Sequence, residues 1–401
     1  MAVPDATATL LAEITTPASK GGILDGPGLA SFAARIGAAF AADSGGPWRF
    51  GSTVLVASHA QVREVLSRDL DFQIAPINAG RIEEVSGAFV LGMDRGAVLV
   101  RERGALYRAL ASVDLTPLRR QVAEQASQRL SSVSQIDIVA DYARPVAAQT
   151  ASALFGIPMT NPALFMEVAR AIFGHTFLNL NGNEAVQKRA LSAAPIMKAW
   201  LEGEIGRRIA SGERGTDMMG ALLSDPQALD PDGVRRTLGG LFVGSIDTTA
   251  TAVAKIVFIL GGDKKLADAM AADLDNIGRL RGWCWEALRR WPHNPILLRQ
   301  AVAVTSLGGV TINPGDRIVL WTQAAMQDAS AFPGPQYARP DRPDTAYLHF
   351  GDALHACAGR AVNAFQIPLL VGALVRRGIQ SVGKVAWAGP FPDHLTVRFS
   401  G

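Results

Sequence analysis

Cysteine is nearly absent from this chain: two residues in 401, Cys284 and Cys357. That excludes a disulfide framework, and it excludes an iron–sulfur module, which needs a set of cysteine ligands. A strong charge of either sign is also missing. With 39 basic against 36 acidic residues, the net charge of +3 gives no argument for nucleic acid, although a local basic face would still attract an acidic partner. Aromatics are sparse at 7% while alanine is frequent, which favours helices over sheets. No long apolar run is uninterrupted: the longest, around 237–261, is broken by Asp247, Thr248, Thr249 and Lys255 and reads as a buried helix. The N-terminal stretch MAVPDATATLLAEITTPASKGG carries Asp5 and Glu13 and has no apolar core, so neither a signal peptide nor a membrane anchor is expected there. The expectation is a soluble, cytoplasmic protein.

What is present is apolar bulk. Hydrophobic residues make up 48% and charged residues 19%, enough for a large interior. Length alone would suggest two or three domains, yet no linker composition divides the chain, so one domain over 1–401 is expected, with about 1–20 a flexible N-terminal segment. WRFGSTVLVA, residues 48–57, reads as a short strand or hairpin, and HAQVREVLSR as a helix started by Ser58. Residues 71–93 hold a proline and three glycines without a clean period and read as a long loop. Helical patterns follow at roughly 95–113, 116–131, 137–155, 161–179, 185–211, 216–223, 231–262 and 264–291. After Pro292 come β-rich segments separated by glycine turns (LLRQAVAV, VTINPG, RIVLWTQAAM), a proline-rich run, a helix over about 358–377 and a small terminal strand pair. The fold class is mainly α with a small β-rich portion.

Three stretches carry chemistry. In LHFGDALHACAGRAVNAF, residues 348–365, Cys357 sits just before a helix with Gly351 and Gly359 on either side. A free cysteine is often only a small buried hydrophobe. Glycines around it instead leave room for something large and flat to reach the sulfur, and the first N–H groups of the following helix stabilise a thiolate. In LFVGSIDTTA, residues 241–250, an acid–alcohol pair interrupts an apolar helix. Both residues are poor helix formers and polar in a core setting. A threonine bonding back to the preceding turn is the plain explanation; a buried proton relay is the functional one. In WEALRRWP, residues 285–292, Glu286 and Arg289 share a helix face and can pair.

The stretch FGDALHACAG resembles the haem-ligand loop of the cytochrome P450 family, F-G-x-G-x-[HR]-x-C-x-G, departing from it at Ala353, where glycine is usual. The resemblance implies the P450 fold and a haem b (iron protoporphyrin IX) whose axial ligand is the Cys357 thiolate, with Phe350 beside the sulfur and His355 on a propionate. Glu286 and Arg289 resemble the family's Glu-x-x-Arg pair, a structural lock to an arginine of the proline-rich meander, which Arg342 or else Arg339 would supply here. The segment from Gly244 to Thr248 is similar to the family's [AG]-G-x-[DE]-T signature, with Ser245 in place of the second small residue. It implies Thr248 at the oxygen site, Asp247 as proton supply and Gly244 as the opening for dioxygen. Arg299 takes the place of a propionate-binding arginine. The helix near 95–110 often carries His-x-x-x-Arg in this family; here Leu99 stands at the histidine position with Arg103 four residues on, and Arg101 is a candidate substitute. The stretch 136–158, IDIVADYARPVAAQTASALFGIP, also matches a helix typical of soluble bacterial members, so the resemblance covers most of the chain.

The implied activity is insertion of one atom of O2 into a small apolar organic substrate, with electrons from a separate ferredoxin-type donor and its reductase. The donor would dock near Arg281, Arg289, Arg290 and Arg360. Neither nucleic acid nor membrane is expected as a partner. A peroxide-driven peroxygenase is the alternative enzyme, and a non-catalytic haem or ligand-binding protein the rival from another class; the Asp247–Thr248 pair speaks against both, because neither needs a proton relay. Ile74, Ile77, Phe89, Phe173, Phe177, Leu178 and Ile246 are the candidate pocket residues.

Overall fold

The computed structural model describes residues 46–180, 182–388 and 391–400. The expected flexible segment over 1–20 lies outside the described residues. The chain enters as a hairpin, β1 (Trp48–Phe50) and β2 (Thr53–Val56), with β2 buried throughout. Helix α1 (His59–Ser67) starts where Ser58, in an extended conformation, accepts a hydrogen bond from the Gln61 N–H at 3.3 Å.

Residues 71–93 are not a loop. They form β3 (Phe72–Gln73), helix α2 (Ala75–Ser86) and a 3₁₀ turn (Val90–Gly92). Asp94 Oδ1 takes the N–H groups of Ile74 and Ala75 at 2.8 and 3.1 Å, and Gly87, at φ 77°, ends the helix. The period is hidden because α2 lies between core and cavity. Ile82 and Val85 turn inward while Ile77 and Asn78 line the cavity, and the exposed side, Pro76, Gly80, Glu83 and Glu84, is charged only at its C-terminal end, which blurs the amphipathic pattern.

The helical body comprises α3 (Ala97–Ser112), α4 (Thr116–Leu130), α5 (Arg144–Phe155), α6 (Pro162–Phe173), α7 (Glu184–Ser211), α8 (Met218–Leu223), α9 (Pro231–Ser245), α10 (Asp247–Gly262), α11 (Lys264–Ala272) and α12 (Ile277–Arg290). Four expected helices are interrupted, 231–262 among them. Over 137–155, strand β4 (Gln135–Asp137) and a π-helical turn (Ile138–Ala143) precede α5; the Asp137 carboxylate caps that turn by accepting from Val139 and Ala140. Over 161–179, α6 passes into a second π-helical turn (Gly174–Leu178). Over 264–291, the polar run Asp273–Asn276 ends α11, and Asn276 caps α12 through the Arg279 N–H.

The stretch Pro231–Gly262 is long and apolar enough to cross a bilayer by length and composition, yet 72% of its apolar 18-residue window is buried in the protein. It breaks into α9 and α10 at Ile246 (ψ −66°). Helix α10 packs against α5, α12 and α14 (Arg360–Arg377). The β-rich part contains β5 (Leu297–Ala301), β6 (Thr305–Leu307), β7 (Val310–Ile312) and β8 (Arg317–Leu320), followed by the short helix α13 (Thr322–Ala325). One sheet runs β1-β2-β8-β5-β3, with β2 and β8 parallel and its other pairs antiparallel. The C-terminal pair expected from the sequence is four short strands: β9 (Ile379–Val382) and β12 (Thr396–Phe399) join β4, and β10 (Ala386–Ala388) pairs with β11 (Phe391–His394).

Candidate active site

Cys357 lies at the end of a tight loop. Its N–H donates to Phe350 O at 2.8 Å, and Gly351 turns the chain at φ 67°. Ala353 also sits in the left-handed region, at φ 55°, where a side chain costs about 1–2 kcal/mol. The loop therefore keeps the turn that a glycine would make without strain. A Cβ on Gly359 would stand 3.5 Å from the Cys357 sulfur and shield it, so the absence of a side chain there leaves the sulfur open to the cavity it borders. Burial raises the pKa of the thiol, against the lowering pull of the Gly359 and Arg360 N–H groups.

That cavity, about 390 Å³, brings together nearly every residue singled out from the sequence: Cys357, Phe350, Gly351, Gly359, His355, Arg299, Arg103, Gly244 and Thr248 all border it. Phe350 meets the Trp285 ring edge-on at 5.1 Å, which fixes one wall beside the sulfur. Arg103 donates from Nε to Leu354 O at 2.8 Å, and its guanidinium lies 4.5 Å from the Tyr107 ring centroid. Tyr107 in turn donates to Ala356 O at 3.0 Å. Tyr107 was not singled out from the sequence; its position one helical turn after Arg103 was the available signal. His355 reaches Met93 O at 2.9 Å through Nε2, and burial lowers its pKa.

Arg299 is the most informative cation. It is buried, donates to Leu298 O at 2.8 Å, and makes no ion pair among the described residues. Burial pushes its pKa down to about 10, with only distant Asp94 and Asp69 acting against that. A guanidinium so placed favours an anion at the cavity edge. An open sulfur, the buried Arg299 and the half-buried Arg103 on one cavity suit a haem with its carboxylates.

On α9, a Cβ added at Gly244 would meet nothing within 4 Å. Thr248 faces the cavity and donates back to Gly244 O at 2.6 Å, while Thr249 donates to Ser245 O at 2.9 Å and contacts Asn363 Oδ1 of α14 at 3.2 Å. These back-bonding hydroxyls accompany the break at Ile246. Asp247 is not brought to the cavity. It is buried on the opposite side, where its Oδ1 is 3.0 Å from Arg144 Nε and 2.8 Å from Arg170 Nη2, and its Oδ2 has no hydrogen-bond partner. Arg170 continues to Asp393 at 2.5 Å. Ile246 likewise belongs to the core and does not line the cavity. The other six candidate pocket residues, Ile74, Ile77, Phe89, Phe173, Phe177 and Leu178, do line it.

The family model for cytochrome P450 matches residues 52–377. The chain belongs to the cytochrome P450 family. It is 26% identical over 278 residues to mycinamicin IV hydroxylase/epoxidase of Micromonospora griseorubida, covering 68% of this chain and 67% of that one. It is 25% identical over 338 residues to nocardicin C N-oxygenase of Nocardia uniformis subsp. tsuyamanensis, covering 80% and 81%. The fold is shared with ligand-free Mycobacterium smegmatis CYP164A2 at a TM-score of 0.81 and 20% identity, covering 97% of this chain and 99% of that chain. This P450 is accordingly a haem-thiolate monooxygenase that acts on an apolar organic substrate and draws electrons from a separate redox partner.

Two expectations about its surface are corrected. Arg289 cannot meet a redox partner, because the Arg289 and Glu286 side chains are both 0% exposed. Arg101 cannot replace the missing histidine: its side chain is 53% exposed and points away from the cavity. Leu99, at the histidine position, is sealed with Ile82, Phe89, Val90 and Leu106. The meander's third member is settled in favour of Arg342, whose Nε is 3.3 Å from Glu286 Oε1; Arg339 contributes its backbone N–H to Oε2 at 3.1 Å.

Proposed function

We propose that this P450 is a single catalytic domain, cytoplasmic and served by a ferredoxin-type donor and its reductase, and that Cys357 is its axial ligand. The observation that carries this reading is the sharing of one apolar cavity by the Cys357 sulfur and the Thr248 hydroxyl. The haem, when bound, supplies the reductive activation of dioxygen. The protein's own residues do the rest. Arg299, His355 and Arg103 would hold the haem's propionates, with Phe350, Gly351 and Gly359 shaping the loop on the sulfur side and Gly244 the helix facing it. Thr248 holds a proton-bearing water at the oxygen site. Asp247 feeds it from behind the helix, where its uncommitted Oδ2 and the Arg170–Asp393 pair mark the way to solvent. A proton relay of this kind favours dioxygen over peroxide as the oxidant, since peroxide arrives already reduced and protonated. Arg281, Arg290 and Arg360 remain as the donor's docking residues.

The test is the optical spectrum of the dithionite-reduced protein under carbon monoxide, for wild type and Cys357→Ser. A red-shifted Soret band of thiolate ligation, lost in the variant, is the expected result. A band of histidine or neutral-thiol ligation in the wild type overturns the assignment of Cys357.

A further inference from the structure

The cavity is apolar, and most polar side chains on its wall are already committed. Thr150 donates to Val146 O at 2.9 Å, Ser245 to Phe242 O at 2.8 Å, and Thr248 and Tyr107 to the carbonyls given above. His293 differs. Neither ring nitrogen has a hydrogen-bond partner among the described residues: Nδ1 is sealed inside protein, and Nε2 is not. His349 also lines the cavity, but both of its nitrogens are sealed between Trp285, Tyr347 and Phe350.

We propose that His293 is the polar anchor of the substrate site, donating a hydrogen bond from Nε2–H to a carbonyl, ether or hydroxyl oxygen on an otherwise apolar substrate. This rests on the monooxygenase reading for its view of the cavity as the substrate site. The ring packs on Phe173, itself 5.1 Å from Phe177, so the nitrogen is set in an aromatic wall. Its backbone is rigid. Lys255 of α10 donates to Pro292 O at 2.7 Å and His293 O at 3.3 Å and lies 4.9 Å from the Trp291 ring centroid, while Thr322 donates to Asn294 O and Pro295 O. That buried amine has no carboxylate partner among the described residues, and its bonds to these two carbonyls hold the segment as a positioning residue.

The ring's protonation follows from its surroundings. Burial, with Lys255 adding to it, pushes the His293 pKa down to about 3, so the imidazole is neutral and carries one proton. Nδ1 has no acceptor to receive an N–H, and a sealed, orphaned N–H is the rarer and costlier arrangement. The proton therefore sits on Nε2, which makes His293 a donor and selects an acceptor on the ligand. A ligand without the acceptor leaves this donor unpaired and binds more weakly.

The test uses isothermal titration of the haem-loaded protein with 1-tetralone and tetralin, which share a bicyclic body and differ by one carbonyl oxygen. Wild type binds the ketone about fivefold more tightly, the worth of one net hydrogen bond. His293→Leu loses that preference while holding tetralin within about twofold, and His293→Gln, which keeps a donor, retains part of it. An equal preference in wild type and His293→Leu, or no binding of either probe, overturns the proposal. Nitrogen NMR of 15N-histidine-labelled ferrous carbon monoxide protein gives a second readout that needs no variant: an Nε2-protonated His293 is expected, and an Nδ1-protonated one overturns it. The carbon monoxide spectrum judges the haem-thiolate reading separately, so the two ideas fail independently.

Discussion

Arg289 and Glu286 meet in a bidentate pair, Nε to Oε1 at 3.0 Å and Nη2 to Oε2 at 3.1 Å, with neither side chain exposed. The guanidinium also donates to Met326 O and Pro335 O, and the carboxylate also accepts from Tyr347 and Arg339, so every partner is fixed. Through these bonds helix α12 holds the meander that leads into the Cys357 loop. Removing Glu286 leaves Arg289 as a buried charge without its carboxylate, and removing Arg289 leaves the buried Glu286 with Arg342 as its one remaining cation among the described residues. Glu286→Gln and Arg289→Met are each expected to lose about 3–5 kcal/mol of stability. Arg289→Lys is expected to fare little better, because a single ammonium cannot span these acceptors. Denaturant melts of the haem-loaded proteins decide it; losses under about 1 kcal/mol would show the pair to be dispensable.

Ala353 occupies a left-handed turn at φ 55° that glycine adopts freely. Ala353→Gly is expected to stabilise the protein by about 0.5–1 kcal/mol, the relieved strain outweighing the added freedom of the unfolded chain. A thermal melt reads the sign, and an unchanged or lowered midpoint removes the strain argument.

Restoring the family's histidine by Leu99→His is expected to harm the protein. Position 99 is 1% exposed within an apolar cluster and does not border the cavity, so the imidazole would be buried without a partner. The cost is about 2 kcal/mol, with no gain in haem retention when the cofactor is offered to a competing apoprotein. Slower haem transfer from the variant would contradict this.

Asp247→Asn keeps the shape of the side chain and removes its charge. Turnover with donor and substrate is expected to fall about 100-fold, the scale of general acid catalysis, with substrate affinity unchanged. The solvent deuterium isotope effect on turnover should grow in the variant. An unaltered rate would remove Asp247 from the proton route and leave it a purely structural partner of Arg144 and Arg170.

The His349 ring, like His293, is held by burial at about 3, well below its ordinary 6.5. Between these values the unfolded chain binds the proton and the folded protein does not, so stability falls as the pH drops from about 6.5 toward 3. His349→Phe is expected to flatten that fall. His394 acts oppositely: its hydrogen bond to Asp137 raises its pKa, so its contribution is present below 6.5 and is lost as the pH rises through the raised value. Because His394 is largely exposed, that contribution is small. Melts at pH 4 and pH 7 on wild type and His349→Phe separate the two; parallel losses would assign the acid sensitivity elsewhere.

The sequence by itself determined the cysteine loop, the Glu286–Arg289 pair and the Gly244–Thr248 segment, along with most of the helices, because each depends on residue types at fixed short spacing. A glycine beside a thiol, or an acid and a base three residues apart on a helix, means much the same wherever the helix lies. It could not show helix α2, since its exposed side begins with Pro76 and Gly80, both helix breakers by propensity, and turns charged only at Glu83 and Glu84. Nor could it show the breaks at Ile246 and Asp273–Asn276, which turn on local hydrogen bonds. Tertiary structure alone decided which way side chains face. It set Asp247 behind the helix while Thr248, the next residue, faces the cavity, a direction fixed by Arg144 and Arg170 from other helices. It sealed Leu99 and sent Arg101 to solvent. It also left one nitrogen of His293 unsealed in an apolar wall, because exposure and hydrogen-bond satisfaction belong to the packing of distant segments and to no run of neighbouring residues.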